Sequence, residues 1–317
     1  MLSKMDAQSM IPASEARACH FHACDAAEGP LVVLLHGISI GVESLVPLIT
    51  ALLDPACGLR RRVRGLAAIN LWGHGGTPAH DGPHDETSVA RWLHGLLVSE
   101  GHLAPVVEGL APGSRPLMLV AYSSGCIVAA RFVTLHPRLV SRLCLLQPGG
   151  IAPDLVHRLF AKVAGCRCLC GERLAAAVWA HAAADSLPEC WAGDPAEAPQ
   201  LQALQAIVRR QARDSDLPRS VARFTAAMSY ARLFEHGDIR RLYAAAAALQ
   251  IPTLLAWTDL WDHENAHGLG RARLEPMFCA TPGSEAVTIS GAGHLGVVQR
   301  ADAVAEAVAS FLIRCGS

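Results

Sequence analysis

The sequence predicts an α/β protein: a mostly parallel, doubly wound sheet that carries an inserted helical lid. Short, continuous apolar runs recur along the chain, as strands that are covered by helices on both faces require. Helical segments separate these runs, and the alternation of strand and helix is typical of a parallel sheet. Between residues 148 and 250 the apolar runs stop, and alanine-rich helical segments take their place.

Six apolar runs are predicted to be strands, at residues 31–35, 66–71, 117–121, 143–146, 253–257 and 286–289. Residues 19–24 fit an early edge strand before them. Helices are predicted at residues 44–53, 87–97, 127–135 and 301–313. Each of these helices lies beside a predicted strand, as crossover connections between parallel strands require.

The domain organisation follows from the same pattern. Residues 1–28 form an N-terminal segment, residues 29–147 and 251–317 form the α/β core, and residues 148–250 form the helical insertion. Because the insertion lies between two strands of the sheet, we expect it to fold over the carboxyl ends of the strands as a lid. A substrate pocket is then expected between the lid and the sheet.

Composition excludes several classes of function. The 317 residues are 51 % apolar and carry a formal net charge of −1, which favours a large core and argues against a nucleic-acid surface. No apolar stretch reaches the roughly 18 residues of a membrane helix, so we expect no stable membrane insertion. The 11 cysteines are scattered and odd in number, which favours reduced thiols and a cytoplasmic protein. An organellar address within residues 1–28 stays open as an alternative.

Two clusters of potential metal ligands have unusual spacing. Residues 166–170 read C-R-C-L-C, and residues 19–24 read C-H-F-H-A-C. Structural zinc sites usually show two pairs of ligands, each pair two to four residues apart, as an approximate rule. Neither cluster has this pattern, so the sequence predicts neither a metal nor another cofactor.

A serine at the end of a predicted strand is the first candidate catalytic residue. Residues 117–125 read L-M-L-V-A-Y-S-S-G, so Ser123 follows an apolar run and is flanked by Ala121 and Gly125. A serine that attacks a carbonyl must stand clear of its own backbone. The chain therefore turns sharply there, and only small residues fit at the flanking positions. We predict that Ser123 is a nucleophile.

This serine needs a base and an acid. His294 lies in S-G-A-G-H-L-G, residues 290–296, where small residues let a loop carry the imidazole over the sheet edge. A carboxylate must fix the tautomer of that imidazole, and Asp259 and Asp262 both follow a predicted strand. Asp262 is preferred because a few loop residues normally separate the strand from the acid. Trp261, next to it, is the candidate for a substrate contact.

The oxyanion that develops during attack needs hydrogen-bond donors. The backbone N–H of Ser124, at the start of the helix after the nucleophile, is one candidate. Ile38 is the second, because it follows His36 and Gly37 at the end of a strand, where glycine lets the backbone approach a substrate. We expect His36 itself to support that loop by hydrogen bonding.

These motifs resemble the α/β-hydrolase superfamily, in particular its members with a serine nucleophile and a helical lid. The supporting strings are V-V-L-L-H-G (32–37), N-L-W-G-H-G-G-T-P (70–78), A-Y-S-S-G (121–125), H-P (136–137), I-P-T-L-L (251–255) and G-A-G-H-L (291–295). The similarity extends over residues 31–313. It implies the α/β-hydrolase fold and the same nucleophile, base, oxyanion donors and acid.

Three positions depart from the pattern of that superfamily. Ala121 replaces the more common glycine before the nucleophile, and Cys126 stands where a second glycine is frequent. In the acid loop Thr258 replaces the usual glycine, and the loop is longer by one residue than is usual in that superfamily. The choice between Asp259 and Asp262 therefore stays open.

The expected function is hydrolysis of an ester, thioester or related carbonyl bond in a small to medium-sized substrate, through an acyl-enzyme on Ser123. A serine at this position differs from the aspartate of related epoxide hydrolases and dehalogenases. Two alternatives stay open: a catalytically weak ligand-binding protein of the same fold, and C–C hydrolysis or acyl transfer by the same residues. The expected partner is a small-molecule substrate.

Overall fold

A seven-stranded sheet forms the centre of the protein. The computed structural model describes residues 18–26, 28–38, 40–82, 84–103, 116–151, 163–164, 171–213, 216–227, 238–260 and 268–314. The strands are β1 (Cys19–Ala23), β2 (Leu31–Leu35), β3 (Gly65–Ile69), β4 (Leu117–Tyr122), β5 (Val140–Leu146), β6 (Thr253–Thr258) and β7 (Glu285–Ile289). They are arranged in the order β1-β3-β2-β4-β5-β6-β7. Only β1 runs antiparallel to its neighbour in this sheet, so the predicted α/β class with a mostly parallel sheet is confirmed.

Helices connect the strands. In the described ranges they are α1 (Val46–Leu53), α2 (Glu86–Ser99), α3 (Gly125–Leu135), α4 (Gly171–Ser186), α5 (Pro199–Gln211), α6 (Asp216–Ala227), α7 (Asp238–Ala248), α8 (Leu269–Phe278), α9 (Gly296–Gln299) and α10 (Ala301–Arg314). The six predicted strands and the edge strand at residues 19–24 are all present. Three of the four predicted helices correspond closely to α2, α3 and α10.

The fourth predicted helix begins differently. Residues 44–53 were expected to form one helix, but Val42–Leu45 is a 3-10 turn and α1 begins at Val46. Pro47 explains this start, because proline has no N–H to donate and is favoured in the first turn of an α-helix.

The sheet is buried on both faces, as its continuous apolar strands require. All five residues of β2 are fully buried. Val33 and Leu35 pack in one cluster with residues of α2 and α3, whereas Val32 and Leu34 pack on the opposite face with residues of α1 and α10. Burial of a leucine side chain stabilises the fold by about 1.5–3 kcal/mol, so these two layers account for much of the stability of the core.

The helices α4 to α7 lie between β5 and β6 in the chain. α4 packs against α5 and α6, whereas α7 packs against α3 of the core and against α8. Trp179 of α4 and Leu201 of α5 are buried in the same cluster as Val32 of the sheet. The division of the chain into a core and a lid at residues 148–250 stays a prediction.

The parallel strands bring the predicted site residues to one edge of the sheet. The segments that follow β2, β4, β6 and β7 all leave the sheet at its carboxyl edge, where open α/β folds bind ligands. Among the described residues no helix has the length and apolar character needed to cross a membrane. The cysteines in these ranges are free thiols.

Candidate active site

The turn at residues 123–124, between β4 and α3, places Ser123 at the carboxyl edge of the sheet. We name it the nucleophile turn after the predicted role of Ser123. Ser123 has a backbone φ of +53°, a left-handed conformation that costs a residue with a side chain about 1–2 kcal/mol. Its N–H donates to the carbonyl oxygen of Leu146 at 2.9 Å, so the end of β5 holds the turn. α3 begins at Gly125, where an added Cβ would lie 2.5 Å from the carbonyl oxygen of His36. Glycine at this position therefore lets the helix start close against the end of β2.

The histidine that was predicted as the base lies beside this serine. His294 belongs to the histidine loop, which we define as residues 290–295 between β7 and α9. Its Nε2 atom is 3.0 Å from Oγ of Ser123, and both residues are 6 % exposed. When Nδ1 carries the ring proton, Nε2 can accept the hydroxyl proton across this distance. The pair has the geometry of a serine hydroxyl next to its base.

Side chains from neighbouring strands hold the histidine loop in place. The hydroxyl of Tyr122 donates to the carbonyl oxygen of His294 at 2.8 Å. The side-chain amide of Gln147, which follows β5, donates to the carbonyl oxygen of Gly293 at 2.9 Å. Sequence reasoning missed both residues, because Tyr122 lies 172 positions from His294 and Gln147 lies 146 positions from Gly293, and neither contact leaves a local pattern.

The two candidate acids differ in what the structure describes. Asp262 and the predicted substrate contact Trp261 lie outside the described residues. Asp259 is exposed, and its Oδ1 accepts a hydrogen bond from the N–H of Gly291 at 2.8 Å. Desolvation raises the pKa of this carboxyl, but hydrogen bonds from the backbone of Gly291 and Ala292 outweigh it and hold the pKa below its usual value. Asp259 thus binds the backbone of the histidine loop, and the choice of acid stays a prediction.

The segments that carry the two predicted oxyanion donors lie next to the serine. An added Cβ on Gly37 would lie 3.1 Å from Cβ of Ser123, so the loop after β2 lies directly against the nucleophile turn. Ile38 is the next residue of that loop. Ser124 is the N-cap residue of α3, where the helix dipole favours negative charge. Its side chain is 3 % exposed, and in the described part of the chain its hydroxyl has no hydrogen-bond partner.

His36 supports the loop after β2 by hydrogen bonding, as expected. Its Nε2 accepts from the N–H of Leu71 at 3.0 Å, so Nδ1 carries the proton and donates to the carbonyl oxygen of Gly37. Burial, and then the nearby His74, hold the pKa of His36 well below its usual value. His36 is therefore neutral, and both of its nitrogens are used by the backbone.

His74 supports the second predicted oxyanion residue, a role that sequence reasoning did not assign. Its Nε2 lies 2.7 Å from the carbonyl oxygen of Ile38, and its Nδ1 lies 3.0 Å from that of Trp72. Burial lowers the pKa of His74. A neutral imidazole donates through one nitrogen, so it bonds one of these two carbonyls at a time. The string N-L-W-G-H at residues 70–74 was the available signal, but it did not reveal the contact.

Of the two cysteine-rich segments, the structure describes the one at residues 19–24. Within the described ranges no group of three or more His, Cys, Asp or Glu side chains is placed to hold a metal ion. Sγ of Cys19 lies 3.8 Å from Nε2 of His102. Burial and then the charge of Glu100 raise the pKa of the Cys19 thiol to about 12, so this thiol stays protonated. The C-R-C-L-C string at residues 166–170 lies outside the described residues.

Comparison with known proteins identifies the family. A model described as "Alpha/beta hydrolase family" matches residues 32–307. The chain belongs to the alpha/beta hydrolase family. A search of curated protein sequences gives no significant match to this hydrolase-family chain.

Solved structures of similar fold extend over nearly the whole chain of this alpha/beta hydrolase. An enol-lactonase from Burkholderia xenovorans LB400 has 18 % sequence identity and a TM-score of 0.65, covering 93 % of this chain and 96 % of the other. A thermophilic esterase from Thermogutta terrifontis has 20 % identity and a TM-score of 0.67, with 94 % of each chain covered. A putative non-heme bromoperoxidase from Mycobacterium tuberculosis has 15 % identity and a TM-score of 0.63, with 95 % and 96 % covered. At these identities the likeness shows the fold alone.

Proposed function

We propose that the chain is a serine hydrolase that cleaves an ester, thioester or related carbonyl bond of a small to medium-sized substrate. The observation that carries this proposal is the 3.0 Å separation between Oγ of Ser123 and Nε2 of His294, in a chain of the alpha/beta hydrolase family. The names of two structural neighbours, an enol-lactonase and an esterase, denote reactions at an ester carbonyl. They support the same type of bond for this chain.

The first half of the reaction transfers the acyl group to the serine. His294 takes the hydroxyl proton while Oγ of Ser123 attacks the carbonyl carbon. The negative charge that develops on the carbonyl oxygen accepts hydrogen bonds from the backbone N–H groups of Ile38 and Ser124. The imidazolium then gives its proton to the leaving oxygen or sulfur, and the acyl-enzyme remains.

The second half releases the acid product. His294 takes a proton from water, the hydroxide attacks the acyl carbon, and the proton returns to Oγ of Ser123. A carboxylate fixes the imidazole with its proton on Nδ1. Asp262 is the proposed acid, because Asp259 is exposed and already accepts from the N–H of Gly291. Trp261 and the insertion at residues 148–250 complete the pocket in this proposal.

A fluorophosphonate probe tests the nucleophile. The unmodified protein should become labelled, and Ser123→Ala should not, because the probe needs an activated serine. Ser141→Ala is the matched control, since its hydroxyl donates to the carbonyl oxygen of Leu117 at the opposite end of the sheet. Equal labelling of the Ser123→Ala variant and the unmodified protein would assign the reactive serine elsewhere.

A panel of p-nitrophenyl esters tests the acyl-enzyme. Intact mass should increase by the mass of the acyl group in the unmodified protein and remain unchanged in Ser123→Ala. Comparing acyl groups of increasing length measures the depth of the pocket, because depth limits the acyl chain. If no ester gives a covalent adduct and no turnover is detected, the ligand-binding alternative replaces this proposal.

A further inference from the structure

The histidine loop is bonded to the helical insertion as well as to the sheet. The insertion approaches this loop through residues 190–192, which begin at the last residue of the 3-10 turn Leu187–Cys190. The N–H of Leu295 donates to the carbonyl oxygen of Cys190 at 3.2 Å. The residue that follows the predicted base therefore bonds directly to the insertion.

Gln299, the last residue of α9, makes the larger part of this linkage. Its Nε2 donates to the carbonyl oxygen of Ala192 at 2.7 Å, and its Oε1 accepts from the N–H of Ala192 at 3.1 Å. The same Oε1 accepts from the N–H of Gly293 at 3.3 Å. A glutamine oxygen has two lone pairs, so one atom joins the insertion and the histidine loop.

Gly293, the residue before the predicted base, is consequently held by hydrogen bonds at both its N–H and its carbonyl oxygen. Gln299 accepts from the N–H of Gly293, and Gln147 donates to its carbonyl oxygen. His294, the next residue, must keep its imidazole within hydrogen-bond distance of Ser123. A displacement of about 1 Å in such a pair can lower a rate about 100-fold. The contacts of Gly293 therefore bear directly on the predicted proton transfer.

We propose that Gln299 is a positioning residue through which residues 190–192 of the insertion set the place of His294. This inference rests on the proposed function and adds a link between the insertion and the base. The base is aligned when residues 190–192 are docked on α9.

Substitution of Gln299 tests the linkage. Gln299→Met keeps the length of the side chain and removes its amide, and should lower both kcat and the rate of fluorophosphonate labelling by about 10- to 100-fold. KM should change much less, because no substrate contact is removed. Gln299→Glu keeps an acceptor for both N–H groups and should give intermediate rates.

Gln205 provides the matched control. Its Nε2 donates to the carbonyl oxygen of Ala184, so that bond joins α5 to α4 within the insertion. Gln205→Met should label at close to the unmodified rate. Amide hydrogen exchange gives a readout that does not need catalysis: Gln299→Met should raise exchange at both 190–192 and 290–295, whereas Gln205→Met should raise it within the insertion alone.

The outcomes separate this inference from the proposed function. No labelling of the unmodified protein rejects the proposed function, and the inference with it. Labelling of the unmodified protein together with equally fast labelling of Gln299→Met rejects the inference alone, as does exchange that rises at only one of the two segments. If Gln299→Met does not fold, Ala192→Pro removes the donor from the insertion side. Slowed labelling of that variant supports the linkage, and unchanged labelling overturns it.

Discussion

The nucleophile turn and the histidine loop are built in different ways. Backbone groups fix Ser123: its N–H donates to Leu146, and its carbonyl oxygen accepts from the N–H groups of Cys126 and Gly149. The histidine loop has side-chain bonds in addition to backbone bonds, since Tyr122 and two glutamines bond its carbonyl and N–H groups. Strand ends and a helix start position one partner of the pair, and polar side chains from distant parts of the chain position the other.

Substitution of the two candidate acids should have the largest effect on the histidine of the pair. Asp262→Asn should lower kcat about 10,000-fold, because an imidazole without its carboxylate adopts the wrong tautomer. Asp259→Asn should lower kcat by less than about tenfold, because it weakens exposed hydrogen bonds from the backbone of Gly291 and Ala292. Steady-state kinetics of both variants decide the choice. The reverse ranking would make Asp259 the acid.

The difference between the nucleophile turn and the histidine loop explains which features could be predicted from sequence. The turn at Ser123 depends on a local pattern, an apolar strand followed by small residues, so it was visible in residues 117–125. The strands were visible for the same reason, since burial on both faces requires continuous apolar runs. His294 was predicted from its glycine-rich loop and its place after a strand.

The supports of the histidine loop could not be predicted in this way. Gln299 looks like an ordinary polar residue at a helix end, and its bond to Ala192 joins positions 107 residues apart. Gln147 and Gly293 are 146 residues apart. Such contacts depend on how the elements pack, which local periodicity does not encode. The start of α1 was misplaced for a local reason, the first-turn preference of Pro47.

Substitution of Gly125 tests the packing next to the nucleophile turn, where the structure leaves no space for a side chain. Gly125→Ala would place Cβ 2.5 Å from the carbonyl oxygen of His36, and overpacking of this kind typically lowers the free energy of unfolding by about 1–3 kcal/mol. Chemical denaturation measures the change, and labelling of Ser123 should slow with it. Gly95→Ala in α2 is the control, because nothing lies within 4 Å of its added Cβ. It should stabilise the protein by up to about 1 kcal/mol; equal effects of the two substitutions would contradict the close approach of α3 to β2.

Substitution of two buried tyrosines compares the support of the histidine loop with that of the nucleophile turn. Tyr122→Phe removes the donor to the carbonyl oxygen of His294, and Tyr243→Phe removes the donor to that of Gly149. Each should lower the free energy of unfolding by about 1–2 kcal/mol, because a buried carbonyl loses a partner. Labelling of Ser123 should fall about tenfold in Tyr122→Phe and much less in Tyr243→Phe, whose neighbouring turn keeps its backbone bonds. Equal labelling rates in the two variants would show that the histidine loop does not depend on its side-chain support.

The smallest expected effect is a loss of stability at acid pH, and it arises in the loop after β2 that lies against the nucleophile turn. Burial holds the pKa of His36 well below its usual value, so the unfolded chain binds its proton more readily than the folded protein does. The contribution of His36 to stability is therefore present above about pH 6.5 and is lost as the pH falls below it, by up to about 1.4 kcal/mol per pH unit. His36→Gln removes this group and should reduce the loss of unfolding free energy between about pH 7.5 and pH 5.5 by about 1 kcal/mol. Above about pH 7.5 the two proteins should show parallel pH dependence, and equal slopes at acid pH would show that His36 already carries a proton in the folded state.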